Sequence, residues 1–105
     1  MLDKATVVKM AEKYAAEVTK MIDAQAVVLF GSYVKGTAKA DSDIDIAVVV
    51  NGFNDDYLEI SKQLYRLRRN ISADIEPVLL DLSKDSSGFV AEILRTGQIL
   101  NVNRA

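Results

Sequence analysis

Small and acidic side chains lie close together in one stretch of the sequence and could form a phosphate and metal site. Gly31 and Ser32 are followed, after ten residues, by Asp43 and Asp45. β-Branched and aromatic residues dominate the segments before Gly31 and after Asp43, which predicts a strand on each side of a loop. Side chains alternate along a strand, so the two aspartates should point to the same face. The sequence therefore predicts two carboxylates on one surface beside a small-residue loop.

Two like charges at this spacing repel each other, and each disfavours ionisation of the other. A divalent cation would neutralise them, and hard oxygen ligands suit Mg²⁺ or Mn²⁺. Asp41 is a further acid nearby, although its position in a turn leaves its direction open. The expected site is one that holds a metal together with substrate phosphates.

The loop after the first strand has the composition of a phosphate-binding loop. Gly31 lets backbone N–H groups approach a ligand, Ser32 adds a hydroxyl, and a short helix after Gly31 would direct its free N–H groups to the same place. A triphosphate would use all three. Lys35 and Lys39 could add charge, and Tyr33 is the aromatic residue expected to reach a nucleotide.

Each part of this pattern has a structural alternative. Gly-Ser after a strand is most often a turn, and Asp-Ser-Asp is common turn chemistry. The combination favours function, because Asp45 falls inside an apolar strand. Burying an unpartnered polar group costs about 1–3 kcal/mol on scales drawn from proteins.

Composition restricts the chemistry further. The chain has 105 residues, no cysteine and no histidine, which excludes thiolate zinc sites, cysteine nucleophiles and histidine bases. Half of the residues are hydrophobic and the net charge is -2, so an extensive nucleic-acid surface is not expected. The sequence predicts one domain over residues 1–105, no membrane span, no signal peptide and a cytoplasmic location.

Periodicity predicts alternating helices and strands. An amphipathic helix is expected over residues 3–23, and a second helix, capped by Asn54 or Asp55, should end near Asn70. A strand over 73–80, a polar turn over 81–88, a helix over 89–95 and a last strand over 98–102 follow. Pro77 indicates that its strand lies at a sheet edge. The predicted fold is α/β (α+β), with a small mixed sheet covered by helices.

The segment GSYVKGTAKADSDIDIAVV resembles the signature of the minimal nucleotidyltransferases, small members of the DNA polymerase β-like superfamily. The segments 75–78 and 91–100 resemble the third-carboxylate strand and the closing helix-glycine-strand unit of that family. The resemblance implies a fold like the polymerase β palm. It also implies transfer of a nucleoside monophosphate, expected to be AMP from ATP, to an acceptor hydroxyl.

The resemblance also assigns roles to residues. Asp43 and Asp45 would hold two Mg²⁺ (or Mn²⁺) ions, and Gly31, Ser32 and Lys35 would bind the phosphates. Asp74 and Glu76 share a face of the third strand because they are two positions apart. The family pattern favours Glu76 as the third metal ligand and general base, with Asp74 as the alternative.

The resemblance also implies that the chain acts with a partner. The resemblance implies a protein acceptor, a HEPN-domain toxin that this chain would neutralise as its antitoxin. A non-catalytic binding subunit with a vestigial metal site is the alternative. Another chain, or a second copy in a homo-oligomer, is expected to supply the acceptor site. Solvent exposure is expected for four basic residues, Lys62, Arg66, Arg68 and Arg69. Packing is expected for three tyrosines, Tyr14, Tyr57 and Tyr65.

Overall fold

The computed structural model describes residues 3–52 and 56–102. Four helices and four strands alternate along these ranges. In chain order they are α1 (Lys4–Met21), β1 (Ala26–Phe30), α2 (Ser32–Lys35), β2 (Ile44–Val50), α3 (Tyr57–Leu67), β3 (Ile75–Asp81), α4 (Phe89–Thr96) and β4 (Gln98–Val102). Short 3₁₀ turns follow α3 at Arg68–Asn70 and β3 at Leu82–Lys84.

The strands form one mixed sheet in the order β3-β2-β1-β4. β1 is antiparallel to both of its neighbours, whereas β2 and β3 run parallel. A parallel pair needs a crossover connection, and α3 supplies it here. The predicted small mixed sheet with covering helices is confirmed.

Two hydrophobic cores lie on opposite faces of the sheet. Ile44, Ile46 and Val48 pack into the larger core beneath α1 and α3. Ala47 and Val49 pack into the smaller core beneath α4. The alternation predicted for β2 is therefore confirmed, and the odd-numbered positions of this strand, Asp45 included, face the α4 side.

α1 forms where the apolar stripe was predicted. Its buried residues recur at three- and four-residue steps, and the Asp3 carboxylate caps its start by accepting a hydrogen bond of 2.7 Å from the Thr6 N–H. The helix ends at Met21, two residues before the predicted end. Tyr14 is fully buried and its hydroxyl donates to the Leu64 carbonyl, which ties α1 to α3.

β3 is an edge strand, as Pro77 predicted. The backbone groups of residues 75, 77 and 79 point away from β2, so the missing N–H of Pro77 costs no bond within the sheet. Side chains from the α3 region satisfy the flanking carbonyls: Arg68 Nη1 donates to Ile75 O at 2.9 Å, and Tyr57 Oη donates to Leu79 O at 3.1 Å.

Some boundaries differ from the predictions. β3 begins at Ile75 and not at residue 73, because Asp74 lies in a turn in which its N–H bonds to Ser72 Oγ. The caps predicted at Asn54 or Asp55 lie outside the described residues. The cap that the structure describes is Asp56, whose carboxylate accepts from the Leu58 N–H at 2.9 Å.

Helix length and apolarity bear on membrane insertion. Within residues 3–52 and 56–102, no helix combines the length and the apolar composition needed to cross a membrane.

Candidate functional site

Three side chains form a row across one end of the sheet. Phe30 on β1 pairs with Asp45 on β2, and Asp45 pairs in turn with Glu76 on β3. Directly paired residues of neighbouring strands point to the same face. The strand register therefore places the Asp45 and Glu76 carboxylates side by side, with an aromatic ring on the other flank of Asp45.

Gly31 brings the loop backbone against the Asp45 carboxylate. Its φ of 82° and ψ of -150° belong to a region that is essentially restricted to glycine. A Cβ atom at this position would lie only 2.2 Å from Asp45 Oδ2. The glycine is needed both for its conformation and for the space next to the carboxylate.

α2 begins immediately after this glycine, as predicted. The Gly31 carbonyl accepts from the N–H groups of Val34 and Lys35 at 3.1 and 3.0 Å, which closes the first turn. N–H groups at the start of a helix have no acceptor within the helix, so those of α2 face the loop. Ser32 is half-buried at this start, whereas Lys35 is exposed at the last position of α2.

The electrostatics of the site centre on Asp45. Burial raises the pKa of its carboxyl group above the ordinary aspartate value, and the charges of Asp43 and Glu76 raise it further. Asp43 is exposed and lies one residue before β2. The structure thus brings Asp43 and Glu76 within electrostatic reach of Asp45.

Asp74 and Glu76 differ in their surroundings. Glu76 is the acid of this pair whose charge raises the pKa of Asp45. Asp74 is exposed in the turn before β3, where its carbonyl accepts from the Ile44 N–H at 2.8 Å. The backbone of Asp74 therefore aligns β2 with β3, while Glu76 lies on the same face of the sheet as Asp45.

Glu76 is also engaged by two residues from the α3 region. The Tyr65 hydroxyl donates a hydrogen bond to Glu76 Oε1, and Arg68 Nη1 lies 3.9 Å from Glu76 Oε2. The pKa of Tyr65 is raised above the ordinary tyrosine value, mainly by this hydrogen bond and less by burial. In the described part of the chain, no three acidic side chains converge closely enough to hold a metal ion. Metal binding through Glu76 would therefore require its carboxylate to turn from Tyr65 toward Asp45.

The donors on this face nevertheless fit a hard cation and a polyphosphate. Carboxylate oxygens are the ligands that Mg²⁺ takes in proteins, usually one or two together with substrate phosphates. Because Gly31 has no Cβ, the Asp45 carboxylate lies directly against the loop backbone, where loop N–H groups and a carboxylate oxygen are available to one ligand. Asp45 contacts this backbone, and the charge of Asp43 acts on Asp45.

The prediction that Tyr33 reaches a nucleotide is wrong. Tyr33 is only 7% exposed and packs in the larger core, because it lies on the inner side of α2. The aromatic rings on the carboxylate face are those of Phe30 and Phe89, which meet edge to face with centroids 6.5 Å apart. Phe89 is 49% exposed at the start of α4. Sequence reasoning missed it, since Phe89 and Phe30 are far apart along the chain.

The expectations for α3 were partly wrong as well. Tyr57 and Tyr65 were predicted to pack, but both are exposed and both donate hydrogen bonds to β3 residues. Arg68 was predicted to be solvated, but it is half-buried and lies 4.9 Å from the centre of the Tyr65 ring. The helical spacing predicted which face of α3 packs inward. It could not show that side chains next to that face reach around the edge strand β3. Lys62, Arg66 and Arg69 are exposed, as predicted.

Solved structures share this fold. A protein from Sulfolobus solfataricus, described as a candidate nucleotidyltransferase, is 22% identical with a TM-score of 0.65, over 91% of this chain and 80% of that one. A toxin-antitoxin solved with AMP-PNP is 27% identical, with a TM-score of 0.60, over 89% of this chain and 74% of that one. A mutant of the toxin-antitoxin MntA-HpeT is 25% identical over the same shares, with a TM-score of 0.59.

The family comparison covers most of the sequence. No curated protein matches the chain. The family model described as polymerase beta, nucleotidyltransferase matches residues 12–104, which include the loop, both aspartates and β3. The chain therefore belongs to the polymerase beta nucleotidyltransferase family.

Proposed function

We propose that this chain transfers a nucleoside monophosphate, AMP from ATP, to a hydroxyl group on a partner protein. The observation that carries the proposal is the position of Asp45, which lies between the Gly31 backbone and the Glu76 carboxylate. Membership of a nucleotidyltransferase family supports the reaction class. The similar toxin-antitoxin solved with AMP-PNP, an ATP analogue, supports the choice of nucleotide.

In this proposal the loop binds the phosphates. The Gly31 backbone, the Ser32 hydroxyl and the Lys35 ammonium group would hold the triphosphate, and Asp43 and Asp45 would hold two Mg²⁺ or Mn²⁺ ions. Bound metal neutralises charge on the transferred phosphoryl group and lowers the pKa of an oxygen nucleophile. The loop groups that hold the triphosphate would also position its α-phosphate for the acceptor, which lowers the entropy cost of bringing the reactants together.

Glu76 is the proposed general base. Its carboxylate lies beside Asp45 in the strand register, so an acceptor hydroxyl attacking the α-phosphate could pass its proton to Glu76. The hydrogen bond that the Tyr65 hydroxyl donates to this carboxylate supports the assignment, because the donor is itself a phenol. An incoming acceptor would take the place of Tyr65 at that oxygen.

The proposed acceptor is a tyrosine on a small helical HEPN-like toxin. Similarity to two toxin-antitoxin structures supports a toxin partner. One mutant of the MntA-HpeT toxin-antitoxin carries two aspartate-to-glutamate changes two positions apart, which is the spacing of Asp43 and Asp45. Another, 25% identical with a TM-score of 0.52, has one tyrosine changed to alanine.

The test is incubation of the chain with ATP, Mg²⁺ and the product of the neighbouring gene. Mass spectrometry should show adenylyl groups added to a partner tyrosine, and Asp43→Asn should abolish the addition while the partner remains bound. Lys39→Ala is the matched control, because Lys39 lies in the same loop outside the proposed contacts. An unmodified partner in the presence of bound Mg-ATP would overturn the proposal.

Neutralisation by binding alone is the second candidate. The observation that favours it is the engagement of Glu76 by Tyr65 and Arg68, which leaves its carboxylate occupied. Full neutralisation of the partner by the Asp43→Asn, Asp45→Asn double variant, without any mass change on the partner, would establish this function. Loss of neutralisation in the double variant would exclude it.

A further inference from the structure

Tyr65 places a hydroxyl group of this chain at the proposed catalytic base. α3 packs on the face opposite the carboxylates, yet the Tyr65 side chain passes the edge strand β3 and donates to Glu76 Oε1. The hydrogen bond to Glu76 raises the pKa of the Tyr65 phenol, and the charge of Asp43, a proposed metal ligand, adds to this effect. The phenol therefore makes the hydrogen bond to Glu76 that the proposed function assigns to an acceptor hydroxyl.

The Tyr65 ring is held in place and remains accessible. The Arg68 guanidinium lies 4.9 Å from the ring centre, and the same group is anchored by a bond of 2.9 Å to the Ile75 carbonyl. Tyr65 is nevertheless 38% exposed. A fixed, solvent-accessible nucleophile beside a base has the geometry that favours attack on a bound substrate.

We propose that the chain nucleotidylylates itself on Tyr65 when it binds a nucleoside triphosphate without a partner, an activity that rests on the proposed function. Tyr65 Oη attacks the α-phosphorus, and an Oη–P bond forms. The bond between the α-phosphorus and the bridging oxygen breaks, so pyrophosphate leaves with the electron pair. Glu76 takes the phenolic proton. The product is a phosphodiester that attaches the nucleotide to α3 and blocks the acceptor position.

The other tyrosines lack this combination. Tyr14 and Tyr33 are buried, at 0% and 7% exposure. Tyr57 is 50% exposed on the same helix, but its hydroxyl donates to the Leu79 carbonyl, three residues along β3 from Glu76. Tyr57 is thus a matched control for Tyr65, with the same element, the same residue type and similar exposure.

The experiment incubates the purified chain alone with ATP labelled at the α-phosphate and with Mg²⁺ or Mn²⁺. Label should remain on the denatured chain, and peptide mapping should place an adenylyl group on Tyr65. Tyr65→Phe should abolish labelling, whereas Tyr57→Phe should retain it. Thermal unfolding of both variants confirms that they fold. The fraction labelled per unit time should not depend on protein concentration, because the attacking group and the site belong to one molecule.

The outcomes separate this inference from the proposed function. Metal-dependent ATP binding without an adduct, or an adduct that survives Tyr65→Phe, would overturn self-modification and leave partner modification standing. Absence of metal-dependent ATP binding would overturn both. A tagged Asp45→Asn chain mixed with the unmodified sequence should stay unlabelled. Label on the tagged chain would show transfer between copies and would contradict the intramolecular attack.

Discussion

At the scale of single residues, Glu76 and Asp74 have different roles although they differ by only two positions. Glu76→Gln should lower the rate of transfer by about 100- to 10,000-fold, the usual contribution of a general base. Nucleotide affinity should change little, since the phosphates are held elsewhere. Asp74→Asn should have a much smaller effect on rate. Single-turnover kinetics measures the rate of transfer, and calorimetric titration with Mg-ATP measures nucleotide affinity. A larger loss of rate in Asp74→Asn than in Glu76→Gln would contradict the assignment of Glu76 as the base.

Asp45 should make stability depend on pH in a definite direction. Its pKa is raised above 3.8 in the folded state, so the folded chain binds the proton more tightly than the unfolded chain. The contribution of Asp45 to stability is then complete below 3.8 and is lost as pH rises through the folded pKa.

Asp45→Asn should consequently gain stability relative to the unchanged chain as pH rises to neutrality. Urea denaturation of both proteins at several pH values tests this prediction. Asp56→Asn, which removes an exposed carboxylate at the cap of α3, controls for general charge effects. A stability difference that shrinks with rising pH would mean that folding does not raise the pKa of Asp45.

Gly31 should tolerate no side chain. Gly31→Ala places a Cβ against Asp45 Oδ2 and adopts a glycine-only conformation, which costs about 1–3 kcal/mol. It should also displace the carboxylate and weaken Mg-ATP binding. Gly36→Ala is the control, because Gly36 also has a positive φ but an added Cβ meets no atom within 4 Å. Equal losses of nucleotide binding in the two variants would contradict a specific role for Gly31.

At the scale of elements, the start of α4 matters because it brings Phe89 to the carboxylate face. An exposed ring beside a nucleotide site can stack on a base, which contributes about 1–3 kcal/mol. Phe89→Ala should weaken ATP binding by that amount with the metal dependence unchanged. Leu82→Ala is the control, since Leu82 is exposed at the opposite end of β3. Unaltered affinity in Phe89→Ala would exclude a stacking role.

Local sequence patterns predicted the elements well where a periodic apolar face met a turn signal. The stripe of α1, the alternation in β2 and the proline of β3 each depend on neighbouring residues, and the structure confirms them. The position of Tyr33 was wrong because α2 is too short to show which side faces the core. The contact between Tyr65 and Glu76 depends on how α3 lies across the edge strand, and no local pattern contains that information.

At the scale of the whole molecule, substrate binding should be visible as added stability. A ligand that binds only the folded state stabilises it by about 2.7 kcal/mol at 100 times its Kd. For a domain of this size that amounts to a rise in Tm of about 10 °C. Mg-ATP should produce this rise, EDTA should cancel it, and the Asp43→Asn, Asp45→Asn variant should not show it. An equal rise in EDTA would mean that the nucleotide binds without metal.

The outer edge of β3 cannot readily pair with a strand from another polypeptide. Strand addition, whether by a recognised peptide, a swapped segment or a fibril, needs a row of unsatisfied backbone donors and acceptors. Pro77 offers no donor there, and the carbonyls of Ile75 and Leu79 already accept from Arg68 and Tyr57. Intermolecular β-pairing through β3 is thereby disfavoured. The edge of the sheet next to Asp45 and Glu76 is therefore suited to partners that dock through side chains.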